Sequence, residues 1–169
     1  MELAKRASQQ FMLSTDTFNK VGAVLHELVT STRADFALFC DVNGNPITHH
    51  GKAGTMDLSG LSALTAGDFS ATREIARVIG EKDGFKSVLQ EGESRNIYLC
   101  NVGFDFLLAI IFEKTVALGL IRIFAKKTVE KLQEILGSAA DDEEQASAVL
   151  SEEFGELLGE ELEKSFGNF

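Results

Sequence analysis

The run FDFLLAIIF, Phe104 to Phe112, decides the fold of this chain. A β-strand sends successive side chains to opposite faces, and here both alternating sets are apolar except for Asp105. Both faces of the sheet must therefore be covered at this strand, which calls for helices on both sides. Two more extended runs precede it, Phe85 to Glu91 and Asn96 to Val102. After it, Leu118, Ile121, Phe124, Ala125, Leu132, Ile135 and Leu136 recur at helical spacing over about Ala117 to Leu136, although its opening, LGLIRIF, also reads as strand. Further upstream lies DFALFCDV, Asp35 to Val42, again apolar on both faces. Asn43-Gly44 then signals a hairpin whose two central residues need positive φ. Its partner, Pro46 to Gly51, is short and starts with proline, as suits a sheet edge.

Two helices complete the pattern. Asp16 is placed to cap the first, which carries Phe18, Val21, Leu25, Leu28 and Val29 to about Thr32. Asp57 opens the second, which reaches about Glu81 with Leu58, Leu61, Leu64, Phe69, Thr72, Ile75 and Ile79 on its expected inner face. The order αββαβββα, with short links between strands, predicts an α+β sandwich on an antiparallel sheet.

Charge divides the chain. Of the net −10, residues 137–169 carry −9 and residues 1–136 only −1. The expected organisation is an N-terminal lead (1–15), a domain (16–136), a flexible acidic linker (137–147) and an amphipathic acidic segment (148–169). In the last, Leu150, Phe154, Leu157 and Leu158 stand one helical turn apart among glutamates. A near-neutral body with an acidic tail is unsuited to nucleic acid. No run approaches the ~20 apolar residues of a membrane span, and the N-terminus lacks a secretion signal. Cys40 and Cys100 lie in apolar runs where cysteine serves as a small hydrophobe, so the reducing cytoplasm is the expected compartment.

Catalytic patterns are absent. The adjacent His49 and His50 should point to opposite faces of their strand and cannot readily share a metal, and no metal or cofactor is expected. HHGKAG has Gly51-Lys52 but Ala53 in place of the hydroxyl residue of a phosphate loop. The chain therefore reads as a binding or regulatory module without a catalytic site. Its informative feature is the second helix, where Gly60, Ala63, Gly67, Ser70, Ala71 and Glu74 fall on one side. A solvated helix face normally carries long charged residues; a strip of small ones lets another backbone come close. This strip is the candidate partner contact, with Arg73, Arg77 and Glu81 as its polar rim. The alternative is crowding by the helix's own domain. Asp68 is either locally hydrogen-bonded or functional. Lys126 and Lys127 fit a solvated helix face or a contact with a third protein.

The pieces DVNGNPI, SALTAGDFSATREIARVIGE, FKSVLQEGESRNIYLCNVG and LGLIRIFAKKTVEKLQEIL resemble the roadblock family of dynein light chains. Within it they are most similar to the bacterial MglB-type polarity regulators. The resemblance covers about residues 12–136, and its most distinctive pieces are Leu64-Thr65-Ala66-Gly67, Gln90-Glu91-Gly92 and Leu118-Gly119-Leu120. The family motif often has His where this chain has Gln90. The resemblance implies a five-stranded antiparallel sheet with the second helix on one face and the first and third on the other. It also implies a homodimer, joined sheet edge to sheet edge with second helices paired, that seats one small Ras-like GTPase of the MglA type. On that reading the chain is a GTPase-activating protein of a motility or polarity system, concentrated at a cell pole. It inserts no arginine finger but shifts the GTPase so that its own residues align. Phe154, Leu157 and Leu158 would contact the GTPase elsewhere, for nucleotide exchange or tethering. The competing readings are a roadblock scaffold without effect on GTP hydrolysis and a profilin-like or PAS-like sensor, which would need a cavity.

Overall fold

The computed structural model describes residues 13–166, with side chains through Gly159. Residues 1–12 of the lead, including Phe11 and Met12, and residues 167–169 lie outside the described residues. The elements are α1 (Thr15–Thr32), β1 (Phe36–Asp41), β2 (Pro46–Gly51), α2 (Leu58–Ile79), β3 (Ser87–Glu91), β4 (Arg95–Val102), β5 (Phe106–Glu113) and α3 (Leu118–Phe166). The five strands form one sheet in the order β2-β1-β5-β4-β3, antiparallel throughout. Phe36 to Asp41 are all buried, as are Phe106 to Ile110, so the two central strands are covered on both faces. This is the three-helix, five-strand αββαβββα architecture.

Alternation sorts the core into two layers. Phe36, Leu38, Leu99 and Ala109 form one cluster, with Leu58 and Leu61 of α2 packed against it. Cys40 and Leu107 continue the same face against Ala66 and Phe69. On the other face, Phe39 stacks on Phe106 with ring centroids 5.2 Å apart. There Val21, Leu25 and Leu28 of α1 and Ile121, Ala125 and Leu132 of α3 are buried. Lys131 of α3 donates to Glu27 of α1 at 2.6 Å across this layer. Fully burying side chains the size of Phe39, Phe36 and Phe112 is worth roughly 1.5–3 kcal/mol each.

Several local expectations are corrected. Ser14, not Asp16, caps α1: its hydroxyl accepts from the Thr17 amide at 3.2 Å, while Asp16 pairs with Lys20. Phe104 is not in the strand but on the β4–β5 turn, where it is 93% exposed. The β1–β2 connection is not a tight turn with two positive φ values. Only Gly44 is left-handed (φ +89), and its amide donates to the Asp41 carbonyl at 3.1 Å. The Asp41 carboxylate organises the loop instead, accepting from the amides of Asn43 (2.9 Å) and Asn45 (2.8 Å) and from the Asn45 side chain (2.8 Å). A buried carboxylate that meets its donors this way satisfies backbone groups a tighter turn would pair.

The chain divides into two compact units at Ile135/Leu136. Residues 137–147, expected to be a flexible linker, are helical within α3. Their Ala, Glu and Gln are strong helix formers, and no proline or glycine interrupts residues 138–154.

Candidate functional site

The outward side of α2 differs from the sequence expectation by a rotation. Ser62, Thr65, Ala66, Phe69 and Ala76 are the buried positions. Leu64, Ile75 and Ile79, expected to face the core, are exposed, and so is Val78, at 73%, 55%, 65% and 76% respectively. At 3.6 residues per turn Leu64 lies about 140° around the helix from Phe69 and cannot share its face. Small inward residues let α2 lie close to the sheet. The Ser62 hydroxyl, buried there, donates to the Leu58 carbonyl at 2.8 Å and needs no other partner.

The small-residue strip splits into two parts. Gly60 and Ala63 have neighbours within the domain, although Ala63 is exposed. A Cβ on Gly60 would stand 2.3 Å from Oδ2 of the capping Asp57, whose Oδ1 accepts from the Gly60 amide at 3.0 Å. Ala63 is approached by the hairpin, since a Cβ on Gly44 would come 2.8 Å from the Ala63 Cα. Gly67 has open space around it, and Ser70, Ala71 and Glu74 are exposed with it. These four, with Leu64, Ile75 and Val78, form the outward surface.

Polar groups border this surface. The Glu74 carboxylate takes Arg77 in a two-pronged contact, Nε donating to Oε1 at 3.0 Å and to Oε2 at 3.1 Å, with Nη2 also close to Oε1. That bond raises the Arg77 guanidinium still further above its ordinary range. Asp68 accepts from Gln90 Nε2 at 2.9 Å, across 22 positions of sequence. This contact ties α2 to β3 and locates the exposed stripe. Leu64 and Ile75 lie one and two turns from Asp68 along the helix, on the side facing β3. Among the described residues β3 is an edge strand, paired only with β4. The Asp68–Gln90 bond thus links the flank of α2 that carries this stripe to an edge strand.

Elsewhere, an open groove of about 670 Å³ lies beside the C-terminal end of α2, lined among others by Phe69, Arg73, Phe85 and Phe104. In the second compact unit Phe154, Leu157 and Leu158 are exposed, with Val149 and Leu150. Lys126 is exposed and Lys127 lies over the Phe124 ring at 5.4 Å, as solvated helix residues do. The Cys40 thiol is pushed up to about 12 by burial and secondarily by Asp41, and Cys100 to about 12 by burial, so both are protonated and unreactive at neutral pH. His49 lies against Phe36, ring centroids 5.3 Å apart, whereas His50 points to the other face and meets His26. Among the described residues no group of three or more His, Cys, Asp or Glu could hold a metal, and no helix is long and apolar enough to cross a membrane.

An αββαβββα domain with an exposed, apolar second helix linked to an edge strand is a roadblock domain, and the chain belongs to the Roadblock/LC7 family, whose sequence profile matches residues 20–112. Among solved structures it is similar to Myxococcus xanthus MglB at 31% identity and TM-score 0.72, covering 76% of this chain and 96% of that one. It is similar to the gliding protein MglB of Thermus thermophilus at 27% identity and TM-score 0.70, covering 77% and 98%. An MglB in a tetrameric arrangement shares 26% identity at TM-score 0.72 over 77% and 97%.

Proposed function

We propose that this protein is a homodimeric activator of a small Ras-like GTPase of the MglA type. The observation that carries the proposal is the outward face of α2, where Leu64, Ile75 and Val78 are exposed around Gly67, Ser70 and Ala71. Large exposed apolar residues grouped on one face mark an interaction surface, and small ones among them allow close backbone approach. The stripe of Leu64 and Ile75, with the edge of β3, is the dimer seam: two copies extend the sheet edge to edge and pair their α2 helices. Gly67, Ser70, Ala71 and Glu74 then form the platform for one GTPase per dimer.

Activation on this reading is conformational. A partner that binds the hydrolysis-competent state of the GTPase more tightly raises its population by that difference in affinity. Arg77 pairs with Glu74 on the exposed side of α2, where it is placed as a rim residue of the contact. The exposed Phe154, Leu157 and Leu158 supply a second contact with the GTPase, for exchange or tethering. The deciding experiment measures GTP hydrolysis by an MglA-type GTPase with this protein and with its Ser70→Arg variant, whose exposed position spares the fold. Wild type should accelerate hydrolysis and prefer the GTP form, and the variant should do neither. Binding without acceleration would make the protein a roadblock scaffold, and full activity of the variant would remove the platform from α2.

A further inference from the structure

Positive charge is concentrated at the start of α3. Residues 114–131 hold five basic residues and one acidic, whereas residues 1–136 as a whole are net −1. Lys131 is held by Glu27 of α1. The other four, Lys114, Arg122, Lys126 and Lys127, are exposed, and among the described residues none of them has an ion-pair partner. Two apolar side chains stand among these cations: Ile123 is 56% exposed and Leu120 37%. At 3.6 residues per turn, Ile123, Lys126 and Lys127 lie on the side of α3 away from the buried Ile121, Ala125 and Leu132, with Arg122 and Leu120 at its flanks. The single acid, Glu130, comes one turn beyond Lys126 and Lys127. The first turns of α3 thus form a basic, partly apolar ridge on an otherwise acidic chain.

We propose that this ridge is a peripheral membrane contact: Lys114, Arg122, Lys126 and Lys127 engage the phosphates of an anionic bilayer while Ile123 and Leu120 enter its headgroup layer. Charge complementarity selects the partner, since cations flanking apolar side chains on one helix face are what an anionic lipid surface attracts. The four cations are solvated in the free protein, so no ion pair has to break before they bind. A helix ridge is also convex, and a deformable headgroup layer conforms to it without a pocket. The −9 carried by residues 137–169 is repelled by the same surface, which leaves the ridge as the attracting feature. The ridge belongs to the helical layer across the sheet from α2. A bound protomer therefore keeps its α2 surface free for the GTPase. Each cation contributes about a fivefold gain in binding to such a surface, so four give half-binding on the order of 1 mM accessible lipid.

The test is co-sedimentation of the untagged full-length protein with vesicles of phosphatidylcholine containing about 30% phosphatidylglycerol, in about 0.1 M NaCl. Binding should be absent on pure phosphatidylcholine and lost in about 0.5 M NaCl, where exposed charges are screened. Lys126→Gln combined with Lys127→Gln should weaken it at least about tenfold. Lys82→Gln combined with Lys86→Gln makes the same charge change on the connection between α2 and β3, and should weaken it less than about twofold. The chain has no Trp, so Ile123→Trp places a single reporter on the ridge. Its emission should shift to shorter wavelength with the anionic vesicles and be quenched by lipid brominated in the acyl chains. Equal binding by wild type and the Lys126/Lys127 variant, or a reporter indifferent to the vesicles, would overturn the assignment. So would binding to soluble polyglutamate with none to vesicles, which would give the ridge to an acidic protein. No readout involves the GTPase, so the outcome stands apart from that of the α2 platform.

Discussion

Replacing Leu64 by serine separates the stability of the protomer from that of the dimer. Leu64 is 73% exposed, so the protomer gains little from it. Complete burial of a leucine is worth roughly 2 kcal/mol, and covering the part that is exposed here about 1.5 kcal/mol. In a two-fold symmetric seam each copy contributes its own Leu64, which brings the loss to about 3 kcal/mol per dimer. At 1.4 kcal/mol per factor of ten, Leu64→Ser should weaken the dimer about a hundredfold. The protomer should lose only the difference in helix propensity, about 0.5 kcal/mol. Analytical ultracentrifugation across a concentration series reads the first quantity, and urea unfolding of the dilute protein reads the second. A dissociation constant within threefold of wild type would refute the seam. So would a single-chain mass for the wild type at every concentration.

Other consequences are independent of the seam. Asp41→Ala removes a carboxylate that accepts three hydrogen bonds in the β1–β2 loop, so urea unfolding should show a loss of about 1–3 kcal/mol. The two thiols are raised from 9.0 to about 12 in the folded state, so the fold holds their protons more tightly than the unfolded chain does. Stability from this source is complete below about pH 9 and is lost as the pH rises toward 12; a urea-unfolding series from pH 8 to 11 should decline, and more steeply than in a Cys40→Ala/Cys100→Ala variant. At pH 7 a disulfide exchange reagent should label neither cysteine until the protein unfolds. Phe154→Ser combined with Leu157→Ser changes exposed residues, so the melting temperature of the domain should hold within 1–2 °C or so while affinity for the GTPase falls.

The number, type and order of the elements were legible in the sequence because they rest on local pattern. FDFLLAIIF and DFALFCDV are apolar on both faces, and that requires a sheet covered on both sides, whatever the rest of the chain does. Asp57 and the N-terminal proline of β2 mark their boundaries by chemistry that acts within a few residues. The strip on α2 was also visible, and Gly60 and Ala63 at its N-terminal end have neighbours inside the domain as well.

The rotation of α2 was decided only by the tertiary structure. Its sequence carries apolar residues around most of the helix, so periodicity does not settle whether Phe69 or Leu64 faces inward. Fit against the sheet settles it: Ala66, Ala76 and Ser62 allow close approach, and Leu64, Ile75 and Ile79 are turned outward, where they become the most prominent part of the candidate surface. The bonds from Gln90 to Asp68 and from His26 to His50 join residues separated by 22 and 24 positions, and no local pattern encodes such distances. The helical state of residues 137–147 hung on a balance between acidic composition, which reads as a solvated linker, and the helix propensity of Ala, Glu and Gln, which prevailed. Local chemistry thus set what each segment is, and packing between distant segments set which of its faces is left for a partner.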